Sequence, residues 1–440
     1  MLSGLLVAVA SVPNSATAHV TKDSGSWPQW RGPQTRGTAV STNLPVPWPA
    51  AAPAPRWTMP LGAGWSSPVV DNGMVFVTDR RDQTERLIAF DAKTGQERWQ
   101  RSHPVDFDPH AVGRRHGNGP KSTPLVHKEL VYSLGIAGWL ECVDVHTGRE
   151  VWQINLPATY GERVPLPEGQ AYVDGEECVV VPVGDGQGAP VPLFGYTGSP
   201  TLVGDLLITS VGGKRGGTIM AFHKDTGKEV WRALDEHVSY SSPIVAEFNL
   251  STQVVVMTGP RVVGLDARDG QLLWSHPFQI QYDESISTAV VAGDMVIVTG
   301  DGHPCTALRI TRNLEGFAAR VAWENDDLSS YLSSHLAWRG HIYGMNDGGE
   351  IVCADLQTGK TLWAGGKHGY YCTPVLDMSK RLLCLNERGL LLVIAAEPSG
   401  YRELGQSKLS EKATWTSPAV VGSRLYIRSQ DALSCFDFGR

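Results

Sequence analysis

One nine-residue pattern recurs along the chain and limits what it can fold into. Asp91–Trp99 reads DAKTGQERW, Asp144–Trp152 reads DVHTGREVW, Asp266–Trp274 reads DARDGQLLW and Asp355–Trp363 reads DLQTGKTLW. A further copy, HKDTGKEVW, ends at Trp231 with His223 in the aspartate's place. An aspartate followed by Thr-Gly is turn chemistry: a short acceptor satisfies local N–H groups, and glycine takes a positive φ. An apolar run precedes each turn, and the tryptophan starts a new extended stretch after it. A hairpin with a fixed turn and a fixed aromatic, written repeatedly, predicts a repeat architecture.

A second marker counts the repeats. Ser67-Pro68, Thr123-Pro124, Ser199-Pro200, Ser242-Pro243, Thr373-Pro374 and Ser417-Pro418 each open an apolar strand. Thr288-Ala289 and Ser334-His335 fill the two remaining places, so the expectation is eight units. Each unit reads as four short strands, which predicts an all-β, eight-bladed β-propeller of antiparallel blades. The last unit ends at Asp437-Phe-Gly-Arg440 without a tryptophan strand, while Trp57 precedes the first unit. An N-terminal strand around Trp57 is therefore expected to complete the last blade and close the ring.

These repeats resemble the PQQ-like β-propeller repeat family, to which BamB-type outer-membrane assembly factors and the propellers of quinoprotein dehydrogenases belong. The resemblance rests on the Asp-x-x-Thr-Gly-x-x-x-Trp copies and runs from about Trp57 to the C-terminus. It implies that Trp99, Trp152, Trp231, Trp274, Trp323 and Trp363 dock each blade on its neighbour. For function it implies one of two classes. The first is an exported, non-catalytic scaffold that binds a protein or peptide at one face and carries no cofactor. The second is a dehydrogenase using PQQ with calcium to oxidise an alcohol or sugar. Fold alone does not choose between them. The adjacent Cys-Cys pair of the quinoprotein alcohol dehydrogenases is absent here, and no Glu/Asn/Asp set maps onto their calcium site, so the scaffold is the expectation.

Residues 1–18 read as a signal peptide: Leu2–Val12 is apolar, and Ala16-Thr17-Ala18 is a small-x-small cleavage pattern, though no Lys or Arg precedes Lys22. The expected location is periplasmic or secreted. No cysteine precedes Cys142, so no lipid-anchor site is expected, and no stretch suits a membrane helix. Residues 19–56 carry Trp27-Pro-Gln-Trp-Arg-Gly-Pro33 without periodicity and are expected to run along the outside of a propeller formed by 57–440. Their aromatics are expected to pack on the ring rather than bind a ligand. The net charge of −7, without basic runs, argues against nucleic acid. Nothing points away from a monomer.

Cys142, Cys353 and Cys435 stand two residues before the turn aspartate, where other units hold Ala89, Ala221, Gly264 and Ala307. That is a small-residue packing position, not a reactive one. Cys372 and Cys384 fall almost opposite each other across a hairpin, which leaves a disulfide and two free thiols both open.

Successive tryptophans at 99, 152, 231, 274, 323 and 363 are spaced 53, 79, 43, 49 and 40 residues apart. The excess lies in residues 101–118 and 156–195, both between a tryptophan strand and the next inner strand. Both insertions must leave the same face, and such a face is a candidate binding surface. The first carries His103, Asp106, Asp108, His110, Arg114, Arg115 and His116, ending near Lys121. Its spacing matches no metal-ligand pattern. His110, Arg114, Arg115, His116 and Lys121 form the candidate ligand-binding rim, suited to an acidic group, with a solvated loop as the plainer reading. No catalytic residue is expected. The second insertion reads as an extra hairpin with the acidic turn Asp174-Gly-Glu-Glu177.

Overall fold

The computed structural model describes residues 25–439, apart from 41, 110, 161–170, 175–176, 181–191, 193, 214–216 and 281–283. The expected signal peptide and His110 lie outside the described residues. Eight four-stranded antiparallel sheets form the blades of a β-propeller. An additional two-stranded hairpin pairs Ala171–Asp174 with Glu177–Val180, where the second insertion was expected to form one. Trp57–Pro60 pairs with Ala432–Asp437, Trp57 opposite Cys435, so the N-terminal strand does complete the last blade.

The turn chemistry repeats from blade to blade. Asp91 Oδ1 accepts the amides of Lys93 and Thr94 and the Thr94 hydroxyl, at 3.0, 2.8 and 2.9 Å. Asp144 and Asp355 do the same. The Arg98 guanidinium and these donors hold the Asp91 carboxyl down to about 2. At the odd copy, His223 Nδ1 takes the amide of Asp225 at 3.3 Å in the carboxylate's place.

The hydrophobic cores lie between blades rather than within them. One cluster joins Val69, Phe76, Ala89 and Trp99 of the first blade to Val126, Val131 and Val143 of the second. Each tryptophan rises from its strand opposite the small residue: Ala89 faces Trp99, Cys142 faces Trp152, Ala221 faces Trp231, Gly264 faces Trp274, Ala307 faces Trp323 and Cys353 faces Trp363. The cysteines fill this slot as small hydrophobes, and burial pushes the Cys142 thiol up to about 12.

From there the indoles reach the next blade. Nε1 of Trp99 donates to Val145 O at 2.9 Å, Trp152 to Lys224 O at 2.8 Å and Trp231 to Ala267 O at 3.1 Å. Trp323 and Trp363 make the equivalent bonds to Leu356 O and Glu397 O. The rings lie over the glycine of the neighbouring Thr-Gly or Asp-Gly turn: a Cβ on Gly227 would sit 2.8 Å from the Trp152 ring, and one on Gly270 2.6 Å from Trp231. The glycine is thus fixed twice, by its φ of +68° at Gly227 and by the ring above it. Gly227→Ala should therefore destabilise by about 1–3 kcal/mol, measured by denaturant unfolding.

Trp274 departs from the docking expectation: its Nε1 bonds Gln253 Oε1 within its own blade, at 2.7 Å. The next blade carries a long hairpin, His303–Asn313 with Gly316–Asn325, in place of the short turn.

The course expected for the N-terminal segment is also corrected. Residues 26–43 do not run along the outside; they lie across the inner strands at the centre of the ring. Trp27 exchanges backbone bonds with Val70 in the first blade, and Pro28 O accepts from Val126 in the second. The Trp30 indole reaches Thr288 of the fifth blade, and the Arg31 guanidinium reaches His335 O of the sixth. The chain then pairs with Leu376 of the seventh blade and Gly422 of the eighth. Trp27 is 1% exposed, so this aromatic does pack on the ring, but from inside.

Past the plug, the chain meets the seventh blade, which has Gly405 where a tryptophan would stand, opposite Val393. Trp48 lies against Gly405 and bonds the Ser407 hydroxyl at 3.0 Å. The segment supplies from outside the repeat the indole that this blade lacks.

Candidate functional site

Chain direction defines two faces. Each blade's first strand starts on one face, where both insertions emerge; the Thr-Gly turns and the first hairpin turns lie on the other. The plug 26–43 pairs with the far ends of inner strands, at Val70, Leu376 and Gly422, so it closes the channel from the turn face.

Around the channel runs a chain of hydroxyls at the Ser/Thr-Pro marker. The Ser67 amide donates to the Thr123 hydroxyl at 3.1 Å, Thr123 to Ser199 at 2.9 Å and Ser199 to Ser242 at 2.9 Å. Further round, Thr288 donates to Ser334, Ser334 to Thr373, and Ser417 back to Ser67. A proline after each of most of these residues holds it extended, so its hydroxyl can meet the neighbouring blade's amide. The sequence displayed these residues as a counting mark; their role in joining inner strands was not read from it.

On the insertion face, the loops entering the inner strands place Trp65, Lys121, Tyr240, Tyr331, Tyr370 and Trp415 around the channel mouth. Carboxylates fix these loops, Glu284 and Glu387 buried and Asp347 exposed. Glu387 accepts the amides of Tyr370 and Tyr371 at 3.2 and 3.3 Å, and Asp347 accepts that of Tyr331 at 2.7 Å. The Tyr331 hydroxyl donates to Glu284 at 2.6 Å. Tyr370 and Tyr371 pack on Trp415, at ring separations of 5.2 and 5.6 Å. The mouth is therefore aromatic and rigidly supported.

The rim residues expected from sequence divide. Lys121 is half-buried in the mouth, its Nζ donating to Gly117 O at 3.2 Å and Phe194 O at 3.4 Å. Burial lowers its ammonium to about 8, with Glu85 opposing the shift. His116 stands edge-on to Phe194 at 5.6 Å, and Phe194 in turn to Tyr240 at 5.1 Å. Arg114 is exposed on the same loop. Arg115 belongs to that loop's 3₁₀ turn, Ala111–His116, and its side chain lies outside the described residues. His103 is apart from all of these, beside Glu85 at 3.6 Å and Trp139 at a ring separation of 5.5 Å.

The two insertions meet. The strand Ala171–Asp174 of the second lies against the 3₁₀ turn of the first, and Lys121 and His116 join the first to Phe194 at the second's end. Between the first two blades, a cleft of about 660 Å³ is lined by Gln83, Val105, Asp106, Trp139 and Asn155. Cys372 and Cys384 are free, buried thiols close enough to hydrogen-bond. No described helix is long and apolar enough to cross a membrane.

Comparison with known proteins adds the following. A family model described as outer membrane protein assembly factor BamB matches residues 42–189 and 136–365. The outer membrane protein assembly factor BamB of Burkholderia pseudomallei (strain K96243) is 23% identical over 325 residues, 70% of this chain and 82% of that protein. Among solved structures, BamB from Moraxella catarrhalis has a TM-score of 0.57 at 14% identity, covering 87% of this chain and 99% of that one. A quinohemoprotein alcohol dehydrogenase from Comamonas testosteroni has a TM-score of 0.60 at 14% identity, covering 96% of this chain and 82% of that one. At such identities the two structures establish a common fold and nothing finer.

Proposed function

The chain belongs to the family described by the outer membrane protein assembly factor BamB, and on that footing we propose that it is an exported, non-catalytic propeller that holds a partner protein or peptide at its insertion-bearing face. The convergence of both insertions on Lys121 and His116 carries this reading. A repeat ring gains such a surface cheaply, because loops between blades lengthen without disturbing the strands. Among the described rim residues Arg114 is an exposed cation, which suits an acidic partner. The periplasmic or secreted location and the monomeric state belong to the same proposal.

The dehydrogenase reading has the fold likeness behind it. Among the described residues, no three His, Cys, Asp or Glu side chains come together in one group. Reconstitution with PQQ and Ca²⁺ tests it: a tight, stoichiometric quinone spectrum with alcohol-dependent dye reduction would overturn the scaffold.

The partner-holding reading predicts that Arg114→Glu with Arg115→Glu removes capture of a specific protein from a periplasmic extract while the melting temperature stays nearly constant. Wild-type capture should weaken with salt, since exposed charges act over a Debye length of about 8 Å at physiological ionic strength. Capture that survives the reversal and fails when the turn face is mutated would put the binding surface on the other side.

A further inference from the structure

The cleft between the first two blades is built differently from the channel mouth. It opens on the insertion face, where the outer strands Glu97–Pro104 and Glu150–Asn155 end. Its volume of about 660 Å³ falls in the range where small-molecule sites usually lie. Trp139 and Asn155 are direct partners across two strands of the second blade, and a backbone bond of 2.8 Å joins Val105 to Gln83 in the first. Val105, packed with Phe107 and Ile136, gives the cleft an apolar wall. The half-buried Trp139 gives it an indole, steadied by His103 at a ring separation of 5.5 Å.

The polar lining has a fixed sense. Gln83 Oε1 accepts from the Arg80 guanidinium at 2.6 Å, and Asn155 Oδ1 accepts the Ala158 amide at 2.9 Å. Both of those partners can only donate, so each side-chain amide gives them its oxygen and keeps its NH₂ as the end left over. Asp106, exposed in the same lining, adds a carboxylate, which only accepts. A cation here would meet the amide N–H groups, and an anion would meet Asp106. A wholly apolar molecule would strip water from all three polar groups and replace none of it. A neutral polyhydroxyl ring meets none of these obstacles. Its hydroxyls donate to the carboxylate and accept from the amides, and its C–H face suits the electron-rich indole.

We propose that this cleft is a binding site for a neutral saccharide, which Gln83, Asp106, Trp139 and Asn155 hold without changing it chemically. Saturation-transfer NMR and calorimetry on the full chain test it, with maltose, cellobiose and chitobiose as probes and tetramethylammonium and acetate as the charged alternatives. At least one disaccharide should bind at millimolar concentration, and neither ion should compete with it. Asp106→Ala should weaken that disaccharide about ten-fold, the usual scale of losing hydrogen bonds to a charged group. Its melting temperature should not move, because the side chain is exposed. Trp139→Ala should remove measurable binding. No transfer to any of the disaccharides overturns the proposal, as does affinity that survives both substitutions or an ion bound in the saccharide's place. The wild-type and Asp106→Ala results decide the matter even if Trp139→Ala folds poorly. Saccharide binding should be indifferent to salt and to reversal at Arg114 and Arg115, both of which weaken partner capture, so either reading can fail alone.

Discussion

Trp231→Ala should cost about 3–5 kcal/mol of stability, the usual loss when a buried large aromatic is cut back to a methyl group. Trp231 is 6% exposed, covers Gly270 of the next blade and bonds Ala267 O, so the truncation opens a void at a blade junction and leaves a carbonyl without its donor. Thermal unfolding followed by near-ultraviolet circular dichroism measures it. Trp274→Ala gives the internal comparison: it is as deeply buried but bonds Gln253 in its own blade, so its loss reports packing without the cross-blade bond. A Trp231→Ala protein that melts like wild type but loses its partner would make the indoles a binding surface instead.

Deleting residues 1–60 should leave a protein that aggregates or melts far below the full chain. The deletion removes the strand Trp57–Pro60 and bares the edge of Ala432–Asp437, and it takes Trp48 out of the seventh blade. Deleting residues 1–26 removes neither and should leave the melting temperature nearly unchanged. Deleting residues 1–40 lies between them, losing the plug around Trp27 and Arg31 while both Trp48 and Trp57 remain seated. Equal stability of the shortest and longest truncations in a melting series would mean that the ring closes without its N-terminal strand.

The contrast between what was legible and what was not is physical. Blade number, strand count and the closing strand follow from Asp-x-x-Thr-Gly-x-x-x-Trp and Ser/Thr-Pro because turns and small-residue slots are local requirements, written at fixed spacing. Glycine's second constraint, the indole above it, comes from the neighbouring blade and appears only when the ring is assembled. The course of residues 26–43 was misjudged for the same reason. Trp27, Trp30 and Arg31 have no periodicity, and their partners lie in the first, fifth and sixth blades. Gly405 offered a signal that could have been read: a blade without its tryptophan needs one from elsewhere. At the candidate site, sequence located the insertions and Lys121, but the surrounding rings at Trp65, Tyr331, Tyr370 and Trp415 come from four separate blades. Nothing in any one loop marks them as neighbours.

The plug also decides how this molecule can be attached to anything. Gly25 stands beside Val421, on the turn face. A group attached at Gly25 itself would lie on that side, with the mouth and its two insertions facing away from it. A surface-coupled sample held at Gly25 would present the aromatic mouth to the solution. One held through residues of the insertions would present the plugged side instead.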